Sequence, residues 1–280
     1  MRYRLLAIDI DGTLVNSRHE LTAATRDALR RAVASGVRVV LATGRRYSRT
    51  LPLAQEIGIG EPLVTASGAL IKRPSDHETL FCASLDRALL LEMLAHIASA
   101  GYEAVLYADS FHRGFDYYCE RVDVESPELA EYLRFNAGSE RLWRGLMRDP
   151  PEGIFGGFVT SARRAMLDLH HALQATFPDR LHTHVLRSPR YQGFMCEIAP
   201  AGVTKWSGIS HLAREWGIGD SEICAVGDDV NDLPMIAAAG LGVAMSNARP
   251  EVLAAADRVA PSNDEDGLAR VVEWVLEANR

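Results

Sequence analysis

The sequence has few cysteines, and none of them form a recognisable motif. The four residues, Cys82, Cys119, Cys196 and Cys224, stand alone within apolar runs, with no Cys-x-x-Cys pair. We therefore expect neither a zinc site nor a disulfide framework. We interpret all four as small buried hydrophobic residues.

An excess of positive charge is also missing. The chain carries 30 Lys and Arg residues against 37 Asp and Glu, which leaves a formal net charge of -7 at pH 7. Proteins that bind nucleic acids need concentrated Lys and Arg to neutralise phosphates. The charge balance therefore argues against nucleic acid as a partner.

Long apolar runs do not occur. No run approaches the ~20 residues that a membrane-spanning helix needs, and the first residues lack the basic and apolar regions of a signal peptide. We expect a cytoplasmic protein without a membrane partner. At 280 residues the chain can form one large domain or two moderate ones, each with a buried core.

Short apolar runs alternate with amphipathic stretches in both terminal parts of the chain. The pattern predicts strands at 5–10, 37–42, 62–65, 222–226 and 241–245, and helices at 21–34, 46–57, 205–216, 232–239, 250–256 and 268–277. Alternating strands and helices are typical of a parallel sheet with right-handed crossovers. We predict an α/β fold with a doubly wound, Rossmann-like parallel sheet.

The pattern changes in the middle of the chain. Helices are predicted at 85–98 and 162–175, and strands at 102–107, 154–160 and 181–186, with the polar alternation of a sheet that has one exposed face. Aromatic residues are denser here, and they can line a pocket or simply pack in a core. We predict an inserted α+β domain at 83–187 and a core domain of 1–82 and 188–280.

Two acidic motifs follow predicted buried strands. Asp9 and Asp11 end the first strand, where one carboxylate can attack while the other transfers protons. Asp228, Asp229 and Asp232 follow the strand at 222–226. Ligands bind at the carboxyl edge of open parallel sheets, and carboxylates crowded at one strand end suit Mg²⁺. Each motif by itself is also compatible with an acidic turn that caps a helix.

Two weaker motifs carry groups that can hold a phosphate. Thr43 and Gly44 follow the second strand and offer a hydroxyl and an amide. Lys205 stands at the start of a predicted helix, where its ammonium can neutralise a phosphate. Taken alone, a Thr-Gly turn usually only caps a helix, and a single Lys is usually on the surface.

Taken in order, these motifs resemble the haloacid dehalogenase superfamily, and within it the Cof-type phosphatases with a type IIB cap. The resemblance covers essentially the whole chain, because three further segments match: Ser67-Gly68-Ala69, Gly242–Ala248 and Asn263–Gly267. In that family the cap domain lies between the hydroxyl motif and the lysine motif. The resemblance implies a phosphatase that acts on a small phosphorylated metabolite.

The resemblance also implies a role for each motif residue. Asp9 would be the nucleophile that forms an aspartyl-phosphate, and Asp11 the general acid and base. Mg²⁺ would be bound by Asp9, the backbone carbonyl of Asp11 and Asp228, with Asp232 supporting the metal site. The phosphate-binding residues would be Ile10, Thr43, Gly44, Lys205 and Asn231.

Some positions depart from the family or have no clear role. Trp206 stands where relatives often have Gly, and Ser67 where they often have Asn; both can alter packing or the pocket. The position of Asp229 is variable in the family. A sugar phosphomutase would use the same Asp nucleophile, and it remains an alternative. A non-enzymatic phospho-accepting module is a less favoured one, because such modules lack the large insert.

Overall fold

The computed structural model describes residues 2–187 and 191–280. The chain divides into two compact units, of which the first comprises Met1–Phe81 and Thr204–Arg280 and the second Cys82–Val203. Among the described residues, none of the helices combines the length and the apolar character needed to cross a membrane.

The strands are β1 (Leu5–Ile8), β2 (Arg38–Leu41), β3 (Leu63–Thr65), β4 (Leu70–Lys72), β5 (Thr79–Cys82), β6 (Val105–Ala108), β7 (Tyr117–Cys119), β8 (Glu140–Leu142), β9 (Ile154–Ser161), β10 (Leu181–Arg187), β11 (Phe194–Pro200), β12 (Ile223–Gly227), β13 (Leu241–Met245) and β14 (Arg258–Ala260). The α-helices are α1 (Ala23–Ala34), α2 (Tyr47–Ile57), α3 (Arg87–Ser99), α4 (Pro127–Phe135), α5 (Arg163–Thr176), α6 (Lys205–Glu215), α7 (Leu233–Ala238), α8 (Pro250–Ala255) and α9 (Gly267–Ala278).

The first unit contains a five-stranded parallel sheet in the order β14-β13-β12-β1-β2. All neighbouring strands run parallel, which confirms the predicted fold class. Strand β1 is completely buried between β12 and β2, and Ile8 pairs with both Val226 and Leu41. Because the strands are parallel, the segments that follow β1, β2 and β12 all leave the sheet at the same edge.

Strand β3 departs from the simple alternation that the sequence predicts. It pairs antiparallel with β4 in a separate three-stranded sheet, β3-β4-β5. A parallel bridge between Ala42 and Val64 connects it to the parallel sheet. The apolar run predicted a buried strand correctly, but strand direction depends on a partner that a local pattern does not specify.

The second unit contains a six-stranded sheet in the order β10-β11-β9-β6-β7-β8. Helices α3 and α5 pack in one core cluster, whereas α4 packs in another that contains Phe158. The prediction of an exposed face is wrong for β9, whose residues are buried from Ile154 to Thr160. The central strand is covered on both sides because Phe158 and Val159, which are adjacent, join different clusters. The aromatic residues Phe115, Tyr117 and Tyr118 are buried and pack within this unit.

The end of the inserted unit lies later than the predicted boundary at 187. Strand β11 pairs antiparallel with both β9 and β10, so Phe194–Pro200 belongs to the insert rather than to the core. The predicted junction at residue 188 itself lies outside the described residues. The predicted boundary is wrong because the local sequence of β11 does not specify which strands it pairs with. Only the observed pairing assigns β11 to a sheet.

None of the four cysteines, all of which lie in the described part of the chain, forms a disulfide. Cys119, Cys196 and Cys224 are buried, and burial raises the pKa of each thiol. The prediction of burial is wrong for Cys82, which is exposed at the end of β5.

Candidate active site

Asp9 is the first residue beyond the central strand β1. Its backbone N–H donates to the carbonyl of Val226 at 3.0 Å, so the extended pairing with β12 continues to the acid itself. The residue is only 4% exposed. The strand therefore delivers a buried carboxylate to the carboxyl edge of the sheet, where the acidic turn after β12 also begins.

Lys205 is placed by the start of helix α6. Thr204 caps this helix: its hydroxyl accepts from the N–H of Ser207, while the Ser207 hydroxyl accepts from the N–H of Thr204. This capping box fixes the first turn. The Lys205 ammonium donates to Asp9 Oδ1 at 2.6 Å and to Asp232 Oδ1 at 2.7 Å. One buried cation is thus shared between two buried carboxylates.

Asp232 organises the acidic turn that follows β12. Its Oδ2 accepts from the backbone N–H groups of Asp228 and Asp229, at 2.9 and 3.1 Å. Both of its oxygens are therefore engaged, one by this turn and one by Lys205. Gly227 permits the approach, since a Cβ at this position would lie 2.4 Å from Asp232 Cγ. Asp228 is held separately, because its Oδ1 accepts from the Thr13 hydroxyl at 2.9 Å.

The electrostatics of the cluster are unfavourable for three carboxylates alone. Burial raises the pKa of Asp9 to about 7, against the opposing charge of Lys205 and with the repulsion of Asp232. Burial, followed by the charges of Asp9 and Asp232, raises the pKa of Asp228 to about 9. Burial disfavours the Lys205 ammonium, but the charges of Asp232 and Asp9 outweigh it and raise the pKa of the lysine. The site has more buried negative charge than one lysine balances.

This cluster can hold a divalent cation. Oxygens of Asp9, Asp228 and Asp232 all lie within 4.8 Å of one another. Since both oxygens of Asp232 already accept hydrogen bonds, Asp9 and Asp228 are the better-placed ligands. Burial and mutual repulsion disfavour the charged forms of these two acids and raise the pKa of each, and a hard cation with oxygen ligands would offset that repulsion. The residues present therefore fit such an ion.

The side chain of Asp11 is held by Arg45, a contact that sequence reasoning missed. Arg45 Nε donates to Asp11 Oδ2 at 2.7 Å, and Arg45 Nη2 donates to Asp11 Oδ1 at 2.6 Å. His19 Nδ1 lies 3.8 Å from Asp11 Oδ1. Arg45 directly follows the Thr43-Gly44 motif, so its proximity to the motif was the available signal.

Comparison with known proteins gives this arrangement a family. Residues 6–272 match the sequence profile of the haloacid dehalogenase-like hydrolases. The chain belongs to this family. Phosphatase YwpJ of Bacillus subtilis (strain 168) is 28% identical, over 98% of this chain and 100% of its own length. The resemblance inferred from the motifs is thus confirmed, and the protein is an enzyme of a hydrolase family.

Solved structures of family members share the fold. A haloacid dehalogenase-like hydrolase from Bacteroides thetaiotaomicron is 28% identical with a TM-score of 0.79, and the match covers 98% of this chain and 99% of that one. The subclass IIB sugar phosphatase BT4131 is 22% identical with a TM-score of 0.77, over 97% and 98% of the two chains. The second likeness concerns the fold alone.

The remaining family motif residues lie around the same edge of the sheet. Thr43 is 1% exposed just beyond β2, and its hydroxyl accepts from the N–H of Arg45 at 3.1 Å. Gly44 follows it in the same turn. Ile10 is fully buried directly after Asp9. Asn231 is half-buried in the short 3₁₀ turn Val230–Asp232.

Three positions of unclear role have structural contacts. The Asp229 carboxylate accepts from the N–H of Val230 at 2.8 Å and caps the 3₁₀ turn. The N–H of Ser67 donates to the carbonyl of Thr43 at 2.9 Å. Trp206 packs against the core of the first unit. Asp229 and Ser67 thus make hydrogen bonds within or to the motif segments, whereas Trp206 contacts the hydrophobic core.

Two asparagines brace the loop that follows Asp11, and the sequence did not reveal this. Asn247 Nδ2 donates to the carbonyl of Gly12 at 2.9 Å. Asn263 donates its N–H to Asn247 Oδ1 at 3.0 Å and its Nδ2 to the carbonyl of Val15 at 2.8 Å. Both asparagines belong to segments that match the family, so the resemblance had marked them without assigning a role.

Proposed function

We propose that the protein is a Mg²⁺-dependent phosphatase that hydrolyses a small organic phosphate monoester, a sugar phosphate or related metabolite, through an aspartyl-phosphate at Asp9. The observation that carries this proposal is the shared Lys205 ammonium, which holds Asp9 beside the acids that follow β12. Lys205 binds one oxygen of Asp9 and thereby orients the other. A buried, oriented carboxylate next to a cation site suits nucleophilic attack on an anionic phosphate.

In the first step the free oxygen of Asp9 attacks phosphorus. A bond forms between this oxygen and phosphorus, and the bond from phosphorus to the leaving oxygen breaks. Asp11 transfers a proton to the leaving oxygen, which departs as an alcohol. In the second step Asp11 takes a proton from water, the water oxygen attacks phosphorus, and Asp9 is released with inorganic phosphate.

Charge balance decides whether this attack can occur. A phosphate dianion and the Asp9 carboxylate repel each other, so positive charge must lie between or beside them. Lys205 supplies one positive charge within the site. Mg²⁺, bound by Asp9, Asp228 and the backbone carbonyl of Asp11, would supply the rest and stabilise the oxygens of the transition state.

Further groups would hold the phosphate oxygens during transfer. We assign this role to the Thr43 hydroxyl, the Gly44 amide, the backbone of Ile10, Lys205 and Asn231. Asp232 would act indirectly, because it fixes both Lys205 and the backbone of Asp228. Hydrogen-bond donors set in rigid turns after β1, β2 and β12 are suited to binding the charge that develops on a transferred phosphoryl group.

The inserted unit would select the substrate. It contributes none of the motif residues, and its contents differ from the core in strand pairing and aromatic density. A chimera tests this, in which Cys82–Val203 is replaced by the corresponding segment of Phosphatase YwpJ. The ranking of substrates should follow the exchanged segment; an unchanged ranking in a folded chimera would contradict the assignment.

A phosphate-release screen tests the function as a whole. The purified protein would be offered a panel of small phosphate esters, with sugar phosphates included because a protein of the same fold is named a sugar phosphatase. We expect phosphate release with Mg²⁺ and none after the metal is removed with a chelator. Ca²⁺ should inhibit, because its larger and looser coordination shell disturbs the geometry of attack. Absence of release from every ester in Mg²⁺ would overturn the proposal. Dependence on a bisphosphate activator would indicate the phosphomutase instead.

A further inference from the structure

Arg45 and Asp11 form a bidentate ion pair near the end of β1, the strand that Asp9 directly follows. Two nitrogens of the guanidinium donate to the two oxygens of the carboxylate, at 2.7 and 2.6 Å. The side chains are 14% and 31% exposed. Parallel hydrogen bonds of this kind restrain a carboxylate in both position and rotation, which a single contact to a lysine does not achieve.

The backbone of Arg45 is itself fixed on both sides. Its N–H donates to the hydroxyl of Thr43 at 3.1 Å, and its carbonyl accepts from the N–H of Ala66 at 3.0 Å. The guanidinium therefore reaches Asp11 from a firm support rather than from a free loop. The orientation of Asp11 is set by the turn after the neighbouring strand β2, as well as by its own turn after β1.

The same strand offers an ordinary ion pair for comparison. At the other end of β2, one nitrogen of Arg38 donates to both oxygens of Glu61, at 2.7 and 2.9 Å. These side chains are 40% and 27% exposed. Exposed pairs of this type contribute little to stability. The Arg45 pair differs in its two separate donors, in the lower exposure of its arginine and in its partner, which is a residue of the proposed reaction.

We propose that Arg45 is a positioning residue that acts through Asp11. It holds the Asp11 carboxylate in the orientation needed to give a proton to the leaving oxygen and later to accept one from water. This inference rests on the proposed role of Asp11. It assigns to Arg45 no direct contact with the phosphate.

A double-mutant cycle distinguishes positioning from direct binding. Arg45→Met should lower kcat about 10–100-fold, because the Asp11 carboxyl group would no longer be oriented toward the leaving oxygen. KM should change less than about threefold. The loss should be larger for an alkyl phosphate than for 4-nitrophenyl phosphate, whose leaving oxygen scarcely needs a proton. In an Asp11→Asn background, Arg45→Met should change 4-nitrophenyl phosphate hydrolysis by less than about threefold.

Matched variants complete the design. Arg38→Met removes the exposed ion pair on β2 and should leave kcat and KM unchanged. Arg45→Lys keeps the positive charge but not the bidentate hydrogen bonding, so it should restore only part of the activity. Thermal unfolding of each variant would verify the fold. Inorganic phosphate binding, measured by calorimetry, should be the same with and without Arg45.

Several results would overturn the inference. Equal losses from Arg45→Met in both backgrounds, a raised KM or weaker inorganic phosphate binding would show that Arg45 contacts the substrate itself. Full rescue by Arg45→Lys would show that charge alone matters. Failure of the proposed function is distinguishable, because the unmodified protein would then release no phosphate from any ester.

Discussion

Gly12 and Asp228 lie in such close contact that no side chain fits between them. A Cβ on Gly12 would lie 2.2 Å from Asp228 Oδ2, far inside the van der Waals distance. Gly12 also has a φ of +83°, which favours glycine. The turn after Asp11 and the turn after β12 are thereby in close contact at Gly12.

Gly12→Ala should disable the enzyme. The new methyl group must displace Asp228, so we expect activity to fall by at least about 100-fold and Mg²⁺ binding to weaken. Gly58→Ala is the matched control, since Gly58 has a φ of +87° with nothing within 4 Å of its Cβ position. That change should cost about 1–2 kcal/mol of unfolding free energy and leave kcat intact. Similar kinetics for the two variants would contradict the importance of the contact.

Asp9→Asn should abolish turnover while the fold is retained. The amide keeps the shape of the side chain and can still face Lys205, but it is not a nucleophile. We expect phosphate release to fall by at least about 1,000-fold, with little change in the circular dichroism spectrum. Trapping of phosphorylated protein with a labelled ester should succeed for the unmodified chain and fail for the variant. Substantial turnover by the variant would eliminate the covalent mechanism.

Lys205→Met should destabilise the protein as well as inactivate it. The substitution leaves Asp9 and Asp232 buried without their shared cation, which costs about 3–5 kcal/mol of unfolding free energy at neutral pH. The pKa of Lys205 is raised in the folded chain, so its stabilising contribution is fully present below the unfolded pKa of about 10.5. Acidification should reduce the difference in unfolding free energy between the variant and the unmodified protein, because protonation neutralises the two carboxylates that have lost their shared lysine. Denaturant unfolding at several pH values measures this; a gap that is constant with pH would contradict it.

Asp228→Asn should separate stability from function. The pKa of Asp228 is raised from 3.8 to about 9, so the folded chain keeps a proton that the unfolded chain releases. By linkage, the unfolding free energy of the metal-free protein should fall as the pH rises between these two values. The amide removes this loss, and the metal-free variant should be more stable at pH ~8 by about 1–3 kcal/mol.

Mg²⁺ should reverse the order of stability, so that the unmodified protein becomes more stable than Asp228→Asn. The ion stabilises the unmodified protein by binding its folded form, and this increase should be absent from Asp228→Asn. Asp220→Asn, at an exposed position before β12, is the control and should respond to Mg²⁺ like the unmodified chain. An equal rise in melting temperature for all three proteins would place the ion elsewhere.

The amino-acid sequence by itself determined the class of fold and the main groups of the site. Apolar runs followed by amphipathic stretches are local patterns, so they predicted the parallel sheet and most of its helices. Asp9, Asp11 and Asp228 could be identified because each follows a buried strand within a few residues. Lys205 was a weak candidate on its own until the family resemblance implied a role for it, and comparison with known proteins confirmed the family.

Only the tertiary structure decided which of these groups meet, and how. Lys205 lies 196 residues from Asp9 in the chain, yet its ammonium donates hydrogen bonds to both Asp9 and Asp232. Arg45 reaches across to Asp11 from the next strand, and β11 joins the inserted sheet rather than the core. Hydrogen bonds between distant segments depend on strand order, register and side-chain direction. A local sequence pattern contains none of these, because they arise only when the strands pack side by side.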